Sequence, residues 1–238
     1  MKKLLLLALI ALCIGIIIPQ KLYATDISVG ASTWYAWWDA KQGGEKVECD
    51  PKFLYGPALA VKFNEDFNLT FIYLYGKFDM TNSYYDGSLS KEVENKQKIK
   101  RNDADLALNY RLNDFFKVFA GVKYNTYSFT GMDFVGVGPG LGLSAAYPIT
   151  ADLFIIANVS GFYLWGDYDE DKHGKSDAKQ YGYNSTLSFA YYIAPASTTI
   201  SLGGRYQYMK VKYVEDFQDN QRFDFYGVTL TATYTFSI

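Results

Sequence analysis

The sequence has few cysteines, a single histidine and no marked excess of either charge. Its 238 residues include two cysteines, and only Cys49 lies beyond the N-terminal segment, so no intramolecular disulfide framework is expected. The formal net charge of −2 leaves no basic footprint for nucleic acid, which is therefore excluded as an expected partner. After residue 24 no apolar run approaches the roughly 20 residues that a membrane-spanning helix requires.

The N-terminal segment is organised like a secretory signal peptide. Lys2 and Lys3 form a basic start, residues 4–18 are an unbroken apolar run, and Ala24 is a small residue at a plausible cleavage position. A retained membrane helix is the alternative, but Pro19 ends the apolar run too early for a full span. A lipid-modified Cys13 is disfavoured because the preceding residue is Leu12 rather than a small one. We expect a signal peptide over 1–24 and one further domain over 25–238.

The rest of the chain alternates between apolar and polar residues with a period of two, which is the side-chain period of a β-strand. The clearest run is at the C-terminus, where Tyr226, Val228 and Leu230 begin an apolar face and Thr229 and Thr231 lie on the other. The pattern predicts about ten strands (8 or 12 being the alternatives), at 25–38, 54–63, 67–79, 99–110, 115–128, 134–147, 153–166, 180–193, 198–214 and 222–238. Short turns are expected to alternate with longer polar spacers, which are 39–52, 80–98, 131–133, 167–179 and 215–221.

Alternation by itself does not tell which face points outward, so a soluble β-sandwich with an apolar interior is the alternative fold. The predicted strands are longer than the usual five or six residues, which favours a barrel in a membrane. The chain also contains 22 tyrosines, and aromatic residues gather near the predicted strand ends, as in the interfacial girdles of membrane barrels. These pairs and groups are Trp34, Tyr35, Trp37 and Trp38; Tyr73 and Tyr75; Tyr163 and Trp165; Tyr181 and Tyr183; Tyr206 and Tyr208. We therefore expect an all-β, antiparallel up-and-down transmembrane barrel with leucine, valine and tyrosine facing lipid.

The C-terminal stretch from Tyr226 to Ile238 resembles the last strand of Gram-negative outer-membrane barrels. In that class the strand ends in an aromatic residue, usually Phe, and is the signal read by the barrel-assembly machinery. Here the matching residues are Tyr234, Phe236 and Ile238, the last of which departs from the pattern. The chain is similar to the small OmpA-like, OmpW-like and Opa-like barrels as a class. The resemblance implies a location in the outer membrane, with membrane lipid, lipopolysaccharide and the assembly machinery as partners.

The predicted inner face carries charges of both signs. Because buried charges are costly unless they are paired, we expect networks that fill a narrow interior. A barrel of about ten strands is near the closed end of the size range, so a wide diffusion pore is excluded. The candidate lumen residues are Lys62, Arg101, Asp103, Asp105, Arg111, Lys117, Lys123 and Arg205.

Other patterns give weaker indications of chemistry. His173 follows an acidic stretch that starts at Asp167, but no partner nucleophile can be placed beside it, and a solvated loop is expected. The same stretch lacks the glycine and the final acidic residue of a calcium loop, at Lys172 and Ala178. Alternate glycines in 136–142 predict a smooth inner wall beside Phe119, Phe154 or Phe162, with a ligand groove as the alternative. Pro139 predicts a local bulge, and Cys49 is expected to be an exposed loop thiol.

Three functions remain open at this level. The first is a non-enzymatic barrel with a structural, adhesive or surface-interaction role through its loops. The second is a narrow channel or small-ligand transporter, and the third is a membrane-embedded hydrolase or acyltransferase that uses His173. We expect no cofactor and no metal, and the first function accounts best for the sequence.

Overall fold

A computed structural model describes residues 26–42, 45–86, 91–129, 132–170, 174–213 and 220–237. They form ten antiparallel strands and one 3₁₀ turn. The strands are β1 (Asp26–Gln42), β2 (Glu45–Lys62), β3 (Phe67–Asp86), β4 (Lys91–Arg111), β5 (Phe116–Phe129), β6 (Met132–Pro148), β7 (Leu153–Glu170), β8 (Gly174–Ile193), β9 (Thr198–Tyr213) and β10 (Gln221–Ser237). The 3₁₀ turn is Ala194–Ala196. Within these described residues no helix is long and apolar enough to cross a membrane.

The sheet closes on itself because β1 pairs with β10 along its whole length, from Asp26 opposite Ser237 to Gln42 opposite Gln221. Each other strand pairs with its neighbours in the chain, so the ring of ten strands has no free edge. Closure satisfies the backbone N–H and C=O groups between strands, which a membrane interior requires because it offers no water. The predicted barrel with ten strands is confirmed.

The registers fix how far the strands lean. A path that starts at Ser28 of β1 and steps from each residue to its partner on the next strand passes through all ten strands. It returns to β1 at Ala40, and the offset between Ser28 and Ala40 is the stagger of the barrel. Given about 3.3 Å per residue and about 4.8 Å between strands, this stagger corresponds to a tilt of about 40° and a backbone radius of about 10 Å. The interior is therefore narrow enough for side chains on opposite walls to meet.

The outer face of the wall is apolar, as the alternation predicted. Leu141, Leu187 and Leu230 are each more than two-fifths exposed on the outside. The small polar residues of the same strands face inward, where the hydroxyls of Ser32 and Thr231 are 2.8 Å apart. Because these outward leucines have no protein neighbour above them, this surface suits hydrocarbon and not water.

Aromatic residues border the apolar band at both ends. Near one end Trp37 stacks on Tyr226, and Tyr183 stacks on Tyr208. Near the other end Phe67 packs against Tyr110, and Tyr234 against Phe236. From Phe236 to Tyr226 strand β10 rises roughly 25 Å along the barrel axis, which is the height of the lipid-facing band in barrels of this type. The two girdles are confirmed, except for Trp34 and Trp38, which were assigned to them wrongly and lie inside the barrel.

Short turns connect the strands at the end of the barrel where Asp26 and Ser237 lie; we call it the short-turn end. In two of these turns an asparagine closes the chain reversal: Asn64 Oδ1 accepts from the N–H groups of Asp66 and Phe67, and Asn113 does the same for Phe115 and Phe116. In a third turn Thr150 Oγ1 accepts hydrogen bonds from the N–H groups of Asp152 and Leu153. These predicted turns are confirmed, and in barrels of this class they face the periplasm.

At the opposite end, which we call the extended end, the predicted long spacers are mostly strand. Thus β1 continues to Gln42 and β2 begins at Glu45, where the sequence predicted a spacer over 39–52. Similarly, β3 and β4 pair as far as Asp86 and Lys91. The prediction failed because beyond the girdle the strands no longer meet lipid. Backbone pairing therefore continues there without an apolar outer face to mark it.

The predicted bulge at Pro139 is also wrong, because the register between β6 and β7 is the same on both sides of that residue. The wall is irregular at Pro51 instead. Residues of β2 shift register between the pairs Ala36–Lys52 and Trp38–Cys49. Proline lacks the N–H that a regular ladder would use, so an extra residue is accommodated there at little cost.

Candidate functional site: the barrel lumen

A network of buried charges crosses the middle of the lumen. Asp103 accepts from Arg101 Nη2 at 2.7 Å through one carboxylate oxygen and from Lys123 Nζ at 2.7 Å through the other. All three side chains are at most 3% exposed. The pairing follows from the registers, because β4 and β5 are adjacent and inward residues on them alternate with lipid-facing ones. Such short contacts on both carboxylate oxygens are what makes a buried charge tolerable.

Two further charged residues complete this network. Arg205 on β9 places Nη2 3.6 Å from Asp103 Oδ1 and 3.7 Å from Asp105 Oδ2. Lys123 Nζ also lies 3.0 Å from Asp105 Oδ2. The structure thus brings five of the eight sequence-predicted lumen residues together as three cations and two carboxylates. We refer to Arg101, Asp103, Asp105, Lys123 and Arg205 as the charge network.

The charge network joins opposite walls of the barrel. Arg101 is on β4 and donates a second hydrogen bond to Gln207 Oε1 on β9 at 2.7 Å. In the ring of ten strands β4 and β9 lie opposite each other. The Arg101 guanidinium also lies 3.6 Å from the centre of the Phe225 ring, and that of Arg205 lies 4.4 Å from the Trp34 ring. Cation–π contacts of desolvated guanidinium groups add to the stability of such a cluster.

Above the charge network, toward the extended end, aromatic rings fill the lumen. The indole of Trp38 packs at 5.2 Å from Phe78, 5.7 Å from Tyr127 and 4.8 Å from Phe225, measured between ring centres. Tyr127 also reaches Phe223 at 5.4 Å. These five residues come from β1, β3, β5 and β10, and β5 and β10 are on opposite walls. We call them the aromatic plug.

Polar side chains that the sequence analysis missed lie beside the plug. Asn125 donates from Nδ2 to Tyr127 Oη at 2.9 Å and to Gln180 Oε1 at 3.3 Å. The Met209 sulfur lies 3.2 Å from Tyr127 Oη. The sequence contained a signal for the plug. Trp34 and Trp38 occupy even positions of β1, whereas Tyr35 and Trp37 occupy odd ones, and successive side chains of a strand point to opposite faces. If Tyr35 and Trp37 face lipid, Trp34 and Trp38 face inward.

The remaining predicted lumen residues lie near the short-turn end. Lys62 is half exposed and pairs with Asp26 at 3.5 Å. Arg111 lies at the mouth and reaches Glu65 at 3.3 Å and Asp66 at 3.7 Å, both in the adjacent turn. Lys117 points into the lumen a little deeper and makes no ion pair with any residue that the structure describes.

A cavity of about 380 Å³ separates this mouth from the charge network. Its lining mixes small polar and apolar side chains with the lower members of the network, including Lys123, Arg205, Asn158, Asn184 and Phe162. The inner-wall glycines contribute to it: Gly140 lines the cavity, and Gly142 gives room to Phe119, whose ring would lie 2.3 Å from an added Cβ. The lumen is therefore closed toward the extended end and open toward the short-turn end.

Cys49 is not the exposed loop thiol that the sequence predicted. It belongs to β2 and lies opposite Trp38, beyond the level of the Trp37–Tyr226 contact, with 6% of its surface exposed. Burial, together with the nearby carboxylates of Asp50 and Asp39, raises the pKa of its thiol from 9.0 to about 12. The thiol is therefore protonated and unreactive at neutral pH.

Two other sequence-predicted sites lie partly or wholly outside the described residues. Tyr234 and Phe236 of the proposed assembly signal face outward and are half exposed, while Ile238 lies outside the described residues. His173 also lies outside them. Within the described residues no group of three or more His, Cys, Asp or Glu side chains is placed to hold a metal ion.

No protein-family model matches the sequence, and no curated protein matches it. The fold is similar to that of the outer-membrane protease OmpT from Escherichia coli, with a TM-score of 0.61, 13% identity, and coverage of 91% of this chain and 99% of that one. Looser similarity links it to an outer-membrane channel from Pseudomonas putida F1 (TM-score 0.41, 12% identity, 92% and 100% covered). Neisserial surface protein A is similar to the same degree (TM-score 0.40, 15% identity, 86% and 95% covered).

At these identities the likeness concerns the fold alone. The closed barrel, the apolar band and the two girdles satisfy each physical requirement for spanning an outer membrane. The protein is an integral β-barrel of the Gram-negative outer membrane.

Proposed function

We propose that the protein is a closed barrel with a structural or surface-interaction role at the extended end, and that it is not an enzyme. One observation carries this proposal: opposite walls of the lumen are in direct contact, through Arg101 and Gln207 and through the aromatic plug. A solute path would have to break these contacts. The cost is high because Arg101 and Asp103 would lose partners in a buried setting.

The surface available for interaction is the wall beyond the Trp37–Tyr226 contact, at the extended end. Among the side chains that the structure describes on β8, β9 and β10, this wall carries four outward cations: Lys179, Lys210, Lys212 and Arg222. Lys179 is directly opposite Lys212, and Lys210 is directly opposite Arg222. Like charges placed opposite each other on a sheet destabilise it unless an anion lies between them. We refer to these four residues as the basic patch.

The basic patch lies just beyond tyrosines that border the lipid-facing band, which is the level of lipid head groups. Lys212 lies over the Tyr181 ring at 5.8 Å and Arg222 over the Tyr208 ring at 5.0 Å, so the cations are held near the interface. Arg222 also pairs with Asp224 at 2.8 Å. The phosphates of outer-membrane lipid and lipopolysaccharide are the anions available at that level, and we propose them as partners of this patch.

We further propose that the barrel-assembly machinery recognises β10 through Tyr234, Phe236 and Ile238. Support comes from the position of β10 at the seam, where it pairs with β1 to close the ring. Tyr234 and Phe236 stack on the outer surface with ring centres 6.4 Å apart, so they are accessible to a partner before the barrel closes.

Conductance across a planar bilayer tests the closed-barrel proposal. The wild-type protein, purified in detergent, is expected to give no stable unitary conductance. A variant that breaks both of these contacts between opposite walls, Gln207→Ala combined with Phe223→Ala and Phe225→Ala, should conduct ions, while a change of two lipid-facing aromatics, Trp37→Ala with Tyr226→Ala, should stay silent. Stable unitary conductance of the wild type, altered by Lys123→Gln or Arg205→Gln, would replace this proposal with the narrow-channel alternative.

A further inference from the structure

The cavity below the charge network has the features of a binding site, and this inference does not depend on the role proposed for the extended end. Its volume of about 380 Å³ lies within the range of small-molecule sites. The residues near its mouth, including Asn68, Asn109 and Lys117, lie within a few positions of the strand ends at the short turns. A ligand would therefore enter from the periplasmic side.

The charges that face the cavity favour an anion. The charge network holds three cations against two carboxylates. Asp103 is enclosed and shared among Arg101, Lys123 and Arg205, while Asp105 lines the cavity with 39% of its side chain exposed and is paired with Lys123 and Arg205. Lys117 adds a fourth positive charge, and the charged groups that act on it electrostatically are the cations Arg111 and Lys62. Positive charge is thus in excess along the path from the mouth to the inner end of the cavity, where it meets the charge network; we call this inner end the roof.

Arg205 at the roof has unused hydrogen-bonding capacity. Its Nε donates to Asn184 Oδ1 at 3.0 Å. Its Nη2 has no hydrogen-bond partner among the residues that the structure describes, because both carboxylates lie beyond 3.5 Å. The side chain is more than nine-tenths buried, and its guanidinium carbon lies 4.4 Å from the centre of the Trp34 ring. Both carboxylates lie within ion-pair distance of Nη2 but too far for a hydrogen bond, so a carboxylate or phosphate oxygen that reached this guanidinium from the cavity would supply the missing hydrogen bond.

The rest of the lining suits the body of a polar ligand. Asn158, Ser160, Ser144 and Thr186 provide neutral hydrogen-bonding groups on the walls, of which Asn158 and Thr186 are 2.9 Å apart. Phe119 and Phe162 provide an apolar surface. We propose that this cavity binds a small organic anion, with its carboxylate or phosphate at Arg205 and Lys123 and its polar remainder against the asparagine and serine side chains.

Two glycines of the wall allow a matched test. Gly140 faces the cavity, and an added Cβ there would meet nothing closer than Gly161 O at 3.7 Å. Gly161, on the neighbouring strand, contributes backbone to the cavity wall, but its side-chain position faces outward, and an added Cβ there would meet nothing closer than Gly182 O at 3.8 Å. Gly140→Leu should fill the cavity and leave each charge in place. Gly161→Leu adds the same group on the lipid side and serves as the control.

The experiment is calorimetric titration of the full-length protein, purified from outer membranes in detergent, at constant ionic strength. The probes are succinate, glucose 6-phosphate and inorganic phosphate, with glucose as the neutral control. We expect saturable binding of at least one organic anion and none of glucose. Gly140→Leu should abolish binding and Gly161→Leu should retain it. Lys117→Gln, which breaks no ion pair that the structure describes, should weaken binding by about tenfold, the loss expected when one positive charge near the bound anion is removed.

Two results would overturn the inference: no saturable binding of any of the three anions, or binding that Gly140→Leu leaves unchanged. Heat-modifiable migration on gels shows whether each variant is folded, so that loss of the barrel is not mistaken for loss of the site. The conductance measurement on the same wild-type preparation reports separately on the closed-barrel proposal.

Discussion

The guanidinium of Arg101 donates a hydrogen bond to the side-chain carbonyl of Gln207 at 2.7 Å, from one wall of the barrel to the opposite one. The same guanidinium lies against Phe225 and binds Asp103. One side chain thus links the charge network to the aromatic plug. The contact ties three separate strands across the interior, so the lumen is part of the packed core and its integrity affects the stability of the whole barrel.

Asp103 is expected to be the most sensitive charged residue of the lumen. Asp103→Ala leaves Arg101, Lys123 and Arg205 buried with one carboxylate fewer, and should lower the free energy of unfolding by about 3–5 kcal/mol. Glu65→Ala, which removes one of the exposed partners of Arg111 at the mouth, should cost at most about 1 kcal/mol. Urea unfolding in detergent, followed by tryptophan fluorescence, measures both. Equal effects would show that the charge network is not a buried, interdependent unit.

The orientation of the wall predicts unequal effects at two neighbouring residues of β10. Leu230 faces lipid and is 44% exposed. Leu230→Arg should therefore reduce stability in the membrane by about 2–4 kcal/mol if the site is near mid-bilayer. Thr231 faces inward and bonds to Ser32, so Thr231→Arg should act through crowding of the lumen. Folding into lipid vesicles, scored by heat-modifiable migration, compares the two. Equal tolerance of both arginines in thick and thin bilayers would contradict the assigned faces.

The raised pKa of Cys49 predicts slow thiol chemistry. At pH 8 the folded protein should react with a disulfide reagent far more slowly than the unfolded chain, because almost no thiolate is present below a pKa of about 12. Since the folded-state pKa exceeds the unfolded value of 9.0, the neutral thiol contributes stability that is intact below pH 9 and is lost as the pH rises toward 12. The Cys49→Ser variant should therefore lose less stability than the wild type between pH 9 and pH 12. Rapid labelling of the folded protein at pH 8 would be inconsistent with the buried position.

The basic patch predicts a stability that depends on lipopolysaccharide. Addition of lipopolysaccharide to the detergent-solubilised protein should raise its free energy of unfolding, measured by urea titration. In the double variant Lys210→Gln with Lys212→Gln this gain should shrink by about 2 kcal/mol, from about 1 kcal/mol per cation near an anionic surface. Lys62→Gln, at the short-turn end, is the control and should keep the full gain. A gain that is the same in all three proteins would remove the patch as a lipid-binding surface.

The alternation of residues was sufficient to predict the barrel class, the short turns and the lipid-facing side of each strand. It also placed Arg101, Asp103 and Lys123 on one inner face, because period two assigns each residue of a strand to a side. It failed at Trp34 and Trp38, where a cluster of aromatic residues was read as a girdle although the parity pointed inward. It also failed at 39–52, where strands were mistaken for a polar spacer. Outside the membrane the outer face of a strand need not be apolar, so the alternation that marks a strand in the sequence is missing there.

The sequence by itself determined the side of the wall on which each residue lies, since a side chain on a pleated strand has only two directions to take. Only the tertiary structure decided which inward residues meet. The stagger that carries Ser28 around the ring to Ala40 fixes the height at which each strand crosses its neighbours. Arg101 reaches Gln207, and Trp38 reaches Tyr127, because closure brings strands that are far apart in the chain to the same level within a barrel of about 10 Å radius.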